Sequence, residues 1–233
     1  MEIVIVHLTR LNQPGTICVA GVETKTLDHV RPVLDGKNLT VQHLAAQGGL
    51  FSLGAVVELG RVRHVGKPPA QEDHLFAPSK ARRLRVLSGG EFWRVLEELA
   101  RPCLAELFGP DLRAHGPAWV VDLGKGRASL GCLKPAARPK LEVAEYAGRK
   151  RVRLHLQEEG QPGRLAVTDG RLYDLQTCAP LEARVEVVAQ KLARGTPAIL
   201  ALGLGRPWKR EGDAGELHWL HVNNIHLADT PVW

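Results

Sequence analysis

Residues 198–227 read AILALGLGRPWKREGDAGELHWLHVNNIHL. An apolar run ends in glycines, a polar Gly/Pro-rich loop covers 205–215, and a second run returns over 216–227. Run, loop and returning run predict a long-looped β-hairpin. Its tip sets Arg206, Trp208, Lys209 and Arg210 side by side. Side chains alternate along a strand, so Trp219, His221, Asn223 and Ile225 are expected on one face. His218, Leu220, Val222, Asn224 and His226 are expected on the other. Neither face is purely apolar, which a strand that only fills a core does not require.

Outward from this hairpin the chain reads as strands. Residues 2–8 and 16–22, with a turn at 12–15, are followed by runs at 27–34 and 54–65. The last is the longest candidate, and Gly60 inside it marks an expected bulge or tight bend. A Pro-rich loop at 67–79 leads into the basic run 80–86. The period then changes: Phe92, Leu96, Leu99, Cys103 and Leu107 share a helical face. Ser88 and Glu91 make a capping box and Gly109-Pro110 stops the run, predicting one helix over 88–108. Strand-like runs return at 119–123, 129–133, 141–146, 151–157 and 164–168, and 181–192 has helical spacing. About ten short strands with two helices make a mostly-β chain.

With 233 residues, the chain can bury one large or two small cores. Its 44% hydrophobic and 24% charged residues are those of a soluble globular protein. No apolar run approaches the ~20 residues of a membrane span, and MEIVIVHLTR lacks the pattern of a signal peptide. Cys18, Cys103, Cys132 and Cys178 are far apart with no CxxC, so neither a zinc site nor a disulfide framework is expected. A reducing cytoplasm is the plain expectation. One Met, few Asn and an excess of Arg over Lys suggest a GC-rich, thermophilic bacterial source. The net charge of +6 is unevenly spread. Residues 61–85 hold seven Lys/Arg against two acids, and residues 124–153 hold nine against two. Concentrated positive charge is the footprint expected of a polyanion-binding protein.

Candidate contact residues follow from this. Gly124-Lys125-Gly126-Arg127 precedes Ala128-Ser129-Leu130-Gly131, where glycines let backbone N–H groups converge on a phosphate while Lys125 and Arg127 add charge. The P-loop and GxSxG spacings both fail. In TDGRLYD, an extended segment would put Arg171 and Tyr173 on one face, able to stack on bases. Arg10 and Arg31 are the cations of the early strands. His218 and His226 lie ~26 Å apart on a strand and cannot share an ion. No metal and no cofactor are therefore expected. Glu72-Asp73-His74, in a Pro-rich loop, is the one acid–His cluster read as a candidate for chemistry, and nothing assembles a nucleophile, a base and an orienting group.

HLTR, ICVAGV, HVRPVL, LGAVVELG, FW, LFG, GKGRASLGCL, VTDGRLYD, ILALGLGRPW and HWLHVNNIHL occur in this order. Together they resemble the dual OB domain-containing proteins of bacteria over essentially the whole chain. The resemblance implies two OB-type barrels and a role in handling nucleic acid, within defence or conflict systems. The expected architecture is thus mostly β: two small OB-like Greek-key barrels, residues 1–86 and 118–233, joined by an amphipathic helix in 87–117. The expected ligand is single-stranded DNA or RNA, met by Arg10, Arg31, Lys125, Arg127, Arg171, Tyr173, Arg206, Trp208, Lys209, Trp219, His221 and Asn223. Such sites combine cationic grooves with stacking platforms. With 5% aromatic residues, arginine must supply much of the stacking. The alternatives are an enzyme acting on nucleic acid or nucleotides, with Asp73, His74, Asp169 and His221 converging in a cleft, or a protein-interaction scaffold.

Overall fold

The computed structural model describes residues 1–146 and 148–231, with the backbone alone for Tyr146. The first half contributes eight strands: β1 (Glu2–Arg10), β2 (Thr16–Glu23), β3 (His29–Val33), β4 (Leu39–Thr40), β5 (Ala55–Glu58), β6 (Arg63–His64), β7 (Asp73–Leu75) and β8 (Arg82–Val86). They form one sheet in the order β6-β7-β3-β2-β1-β5-β8, with β4 on β2. Helix α1 (Gly89–Leu99) follows, then β9 (Ala100–Arg101) and α2 (Leu104–Phe108). The second half adds β10 (Arg113–His115), β11 (Ala118–Asp122), β12 (Leu130–Leu133), β13 (Lys140–Tyr146), β14 (Arg149–Glu158), β15 (Gln161–Val167), α3 (Glu182–Ala193), β16 (Ala198–Leu204) and β17 (Leu217–Leu227). Its sheet runs β13-β14-β15-β17-β16-β12-β9, and β11 joins β17 to β10. The chain is mostly β, two OB-like units each built on one sheet. The hydrogen-bonded ladders stay open, without the closed barrels expected.

Where elements differ from expectation, a residue explains it. The helix expected over 88–108 is two helices. Its start is as read: the Ser88 hydroxyl accepts from the Glu91 N–H and the Glu91 carboxylate accepts from the Ser88 N–H. Phe92, Leu96 and Leu99 are buried. Pro102 then ends it, because the residue before proline is pushed out of the α region and proline has no N–H to donate. Ala100 and Arg101 run extended and pair with Cys132 and Leu133. The run 54–65 is not one long strand either. It breaks after β5 at Leu59-Gly60, where Gly60 takes a left-handed φ of 72°, the expected bend. β17, with 11 residues, is longest among the described strands.

The hairpin of β16 and β17 forms, pairing Ala198 with Leu227 through to Leu204 with Leu220. The face assignment holds only as far as Asn223. Leu202 pairs with Val222 but Ala201 with Asn224, so Asn223 is an extra residue in the ladder. One inserted residue reverses the in/out order of everything beyond it. Leu220 and Val222 before the bulge, and Ile225 and Leu227 after it, therefore all enter the core of the second unit. Asn224 and His226 turn instead toward the first unit. β1 is buried on both faces for the same reason: one side belongs to its own core and the other meets β17.

The two units are held together by polar groups that copy backbone pairing. The Asn224 side chain accepts from the Leu8 N–H at 2.7 Å and donates to the Leu8 carbonyl at 3.1 Å. His226 Nε2 donates to the Val6 carbonyl at 3.0 Å. Thr9 bridges Asp169, and the Arg10 N–H donates to the Thr168 carbonyl.

Candidate nucleic-acid interface

The backbone just after the glycine turn, at Ser129 and Leu130, holds an anion that belongs to the chain itself, while the Gly126 N–H in the turn donates to Asp111. Ser129 N–H and Leu130 N–H donate to Glu72 Oε1 at 2.7 and 3.1 Å, and the Ser129 hydroxyl donates to Oε2 at 2.7 Å. Glu72 is buried. Beside it Arg31 pairs with Asp73 and donates to Ser129 Oγ, so this guanidinium is spent on the junction between the units. Lys125 stays exposed at the turn, and Arg127 reaches back to the Glu106 carbonyl. The loop residues Glu72 and Ser129 are structural partners, a pairing hidden by their separation in sequence.

The segment TDGRLYD is compact where an extended strand was expected. Asp169 caps a 3-10 turn, Gly170–Leu172. Its carboxylate is fully buried and takes Arg171 in two bonds, Nε to Oδ1 at 2.9 Å and Nη2 to Oδ2 at 2.7 Å. Tyr173 is also buried; its hydroxyl donates to the Val167 carbonyl and accepts from the Val152 N–H. Neither side chain offers an open stacking surface. Arg10, however, lies over the Tyr173 ring at 4.1 Å, a cation–π contact that fixes its guanidinium.

Around Arg10 the second sheet presents a cationic face. β14 alternates, with Val152, Leu154 and Leu156 buried while Arg151, Arg153 and His155 point outward. Arg153 pairs laterally with Ala166 of β15, and Ala166 with His221 of β17. Directly paired residues share a face, so Arg153, Ala166 and His221 form a row. Gly203 on the next strand and Gly205 just beyond its end leave room for it. A side chain at Gly205 would meet the His221 ring at 2.9 Å, and one at Gly203 the Asn223 amide at 2.3 Å. The acid on this face, Glu142, is already bonded to His155 at 2.8 Å and Arg164 at 3.2 Å. Among the described residues Arg10, Arg151 and Arg153 make no ion pair. Burial and the neighbouring Arg151 and Arg164 cations lower the Arg153 pKa. Burial, with Arg153 and Arg10 beside it, likewise brings His221 down to about 4, so the ring is neutral at pH 7.

The hairpin tip continues this surface. Trp219, two residues before His221 on the same side of β17, is buried beneath the tip. Its indole N–H donates to the Trp208 carbonyl at 3.0 Å. Arg210 lies over its ring at 4.8 Å, and Trp208 tilts against it at 6.1 Å between centroids. Trp208 itself is 58% exposed. Lys209 is exposed, and Arg206 donates to Asn38 of the first unit. Asn223 donates to His7 Nδ1 and accepts from the Thr168 hydroxyl, so it serves the junction.

The expected contact residues thus fall into four places. Arg10 and His221 stand on the cationic face. Arg206, Trp208, Lys209 and Trp219 gather at the tip, with Trp219 as support. Lys125 and Arg127 lie on a separate turn. Arg31, Arg171, Tyr173 and Asn223 are internal ties. The reading by charge segments missed Arg151, Arg153 and Arg164 as a group. The signal was present in RKRVRLHLQ, where cations alternate with aliphatics at strand period. The first basic segment is divided, with Arg63 and His64 on β6 at one end of the sheet and Arg82–Arg85 on β8 at the other. Of the four groups proposed for an enzymatic cleft, three are engaged elsewhere: Asp73 is held by Arg31, His74 bonds the Glu72 carbonyl, and Asp169 is sealed against Arg171.

Two OB-like units, with a cationic face on the second and an aromatic-cationic tip beside it, define the class of protein. The chain belongs to the dual OB-containing domain family, whose profile matches residues 1–225. No curated relative matches the chain. A solved structure of a murine DNA-binding protein bound with double-stranded DNA is similar over 94% of this chain and 91% of that chain, at 10% identity and a TM-score of 0.33. No helix among the described residues is long and apolar enough to cross a membrane.

Proposed function

We propose that the protein binds single-stranded nucleic acid, DNA or RNA, along the outer face of β14, β15 and β17. The observation that carries this reading is the cationic group on that face: Arg151 and Arg164 act on Arg153, Arg153 and Arg10 both act on His221, and the acid opposite Arg153, Glu142, is taken up by His155 and Arg164. Such a group costs self-repulsion in the free protein, and a polyanion relieves it. Phosphates would lie along the guanidinium groups. A base would rest on the low floor formed by Ala166, Gly203 and the neutral His221 ring, with Trp208 as a second platform at the tip. The bacterial defence setting implied by the family resemblance is a further proposal, tested by phage challenge of cells with and without the gene.

The test is a titration of labelled oligo-dT, oligo-U and duplex DNA at several salt concentrations. Each lost phosphate contact should flatten the log–log salt slope for a single strand by about 0.7. Arg10→Ala with Arg153→Ala should therefore flatten it by about 1.4 and leave the fold intact. An unchanged slope and affinity in that double variant would remove this face from the site. Duplex binding tighter than single-strand binding would overturn the choice of ligand.

Two tryptophans separate stacking from packing. Trp208→Ala is expected to weaken single-strand binding by ~1–3 kcal/mol with little change in melting temperature, because the side chain is mostly exposed. Trp219→Ala should do the reverse and cost ~3–5 kcal/mol of stability. Normal binding by Trp208→Ala would restrict the ligand to the arginine face.

A further inference from the structure

We propose that His7, His29 and Cys132 form a site for a borderline-soft divalent transition ion, zinc first, at the junction of the two units. One ring nitrogen from each histidine and the Cys132 sulfur lie within 4.8 Å of one another. The residues come from β1, β3 and β12, so two ligands belong to the first sheet and the third to the second.

Three observations point to an ion rather than to a chance meeting in a core. First, His7 is 1% exposed, and its Nε2 has no hydrogen-bond partner; the buried His29 Nε2 has none either. A buried polar nitrogen left without a partner costs free energy, and two histidines that each carry one, clustered with a thiol, form the incomplete set that an ion completes. Second, two imidazoles and a thiolate are the donor chemistry zinc selects, while calcium and magnesium require oxygens. A tetrahedral ion at ~2.0–2.3 Å from each donor needs them roughly 3.5 Å apart. Closure by about 1 Å would achieve this. Third, a side chain able to serve as second shell stands behind His7. Asn223 bonds His7 Nδ1 at 3.3 Å and is itself bonded by the Thr168 hydroxyl at 3.4 Å. With the Asn223 amide turned over, its oxygen accepts from His7 Nδ1–H, freeing Nε2 for the metal, and its NH₂ donates to Thr168. Ligand histidines are oriented by bonds of this kind. Of the cations that act on the site, Arg31 beside His7 is paired with Asp73, and Arg101 acts on Cys132 and favours its thiolate. Binding releases the Cys132 thiol proton to solvent, and the three protein ligands leave a fourth position for water.

Full-length protein stripped with a chelator is titrated with Co(II), then with Zn(II), in the absence of nucleic acid. One equivalent of Co(II) should give a thiolate-to-cobalt charge-transfer band and the intense visible bands of four-coordination, and Zn(II) should abolish both. Zinc should also raise the melting temperature in proportion to the logarithm of its free concentration. Cys132→Ser and His29→Gln should each remove the charge-transfer band or weaken binding by more than 100-fold, whereas Cys103→Ser leaves it unchanged. Asn223→Ala should weaken binding by about 10–100-fold. Absence of the band in the parent protein overturns the proposal. So does its persistence in Cys132→Ser or, should that variant not fold, undiminished Co(II) binding by folded His29→Gln.

Discussion

Replacing Glu72 by Leu is expected to lower the folding free energy by about 3–5 kcal/mol, one of the largest single-site losses in the molecule. The reason is the count of donors left behind. Ser129 N–H, Leu130 N–H and the Ser129 hydroxyl all end on this carboxylate, and Ser129 and Leu130 are buried. Leucine fills the space but accepts nothing, so three donors lose both water and partner. Arg31 loses a neighbouring negative charge as well. Glu72→Gln keeps one carbonyl oxygen for the two amides and should cost only about 1–2 kcal/mol. Urea unfolding of the parent and both variants decides the matter. A Leu variant within about 1 kcal/mol of the parent would mean that water reaches the turn and that the carboxylate is not the tie between the units.

The second large effect is acid sensitivity above the usual carboxylate range. Burial, with Arg171 close by, brings His226 down to about 3 despite its bond to Val6 and the nearby Asp169. His221 falls to about 4 through burial and the Arg153 and Arg10 cations. In the unfolded chain both titrate near 6.5. Above pH 6.5 neither state is protonated and these rings make no pH-dependent contribution. Below it the unfolded chain takes up protons that the folded chain refuses, so stability falls toward pH 4 at about 1.4 kcal/mol per unit per ring. By pH 4.5 His226 alone withdraws about 2.5 kcal/mol, and the partly accessible His221 somewhat less. Glu158, whose carboxyl burial pushes up, acts in the opposite sense and only near the carboxylate range. Urea midpoints measured from pH 8 to 4.5 in the presence of chelator should be level down to about 6.5 and then drop. His226→Gln should be less stable at pH 7 yet show a shallower decline. A parent curve level from pH 6.5 to 5 would show that these rings take up protons in the native state.

The local rules that depend on a few adjacent residues were legible in the sequence. Ser88 and Glu91 cap α1 because a capping box needs only one turn of chain. The hairpin of β16 and β17 follows from two apolar runs and the polar loop between them, and Gly60 bends the chain where it was expected to. The basic character of β14 was legible as well, although its alternation carried more information than its net charge. What depended on distant partners was not legible. Asn223 is an extra residue only relative to β16, so the reversal that sends Ile225 inward and Asn224 toward Leu8 exists only in the pairing. Arg171 and Tyr173 looked like contact residues because nothing nearby in the chain announces that Asp169 and two backbone groups would satisfy them in the interior. The carboxylate held by Ser129 and Leu130 came from Glu72, and His7, His29 and Cys132 gather from three strands. Sequence alone determined where most strands and helices begin, since propensity, capping and turn chemistry act over a few residues, but not the break of the expected helix at Pro102 or the 3-10 turn at Gly170–Leu172. Tertiary structure decided which polar groups are spent holding the two units together and which remain free, because burial and hydrogen-bond satisfaction are properties of surfaces brought together across the whole chain.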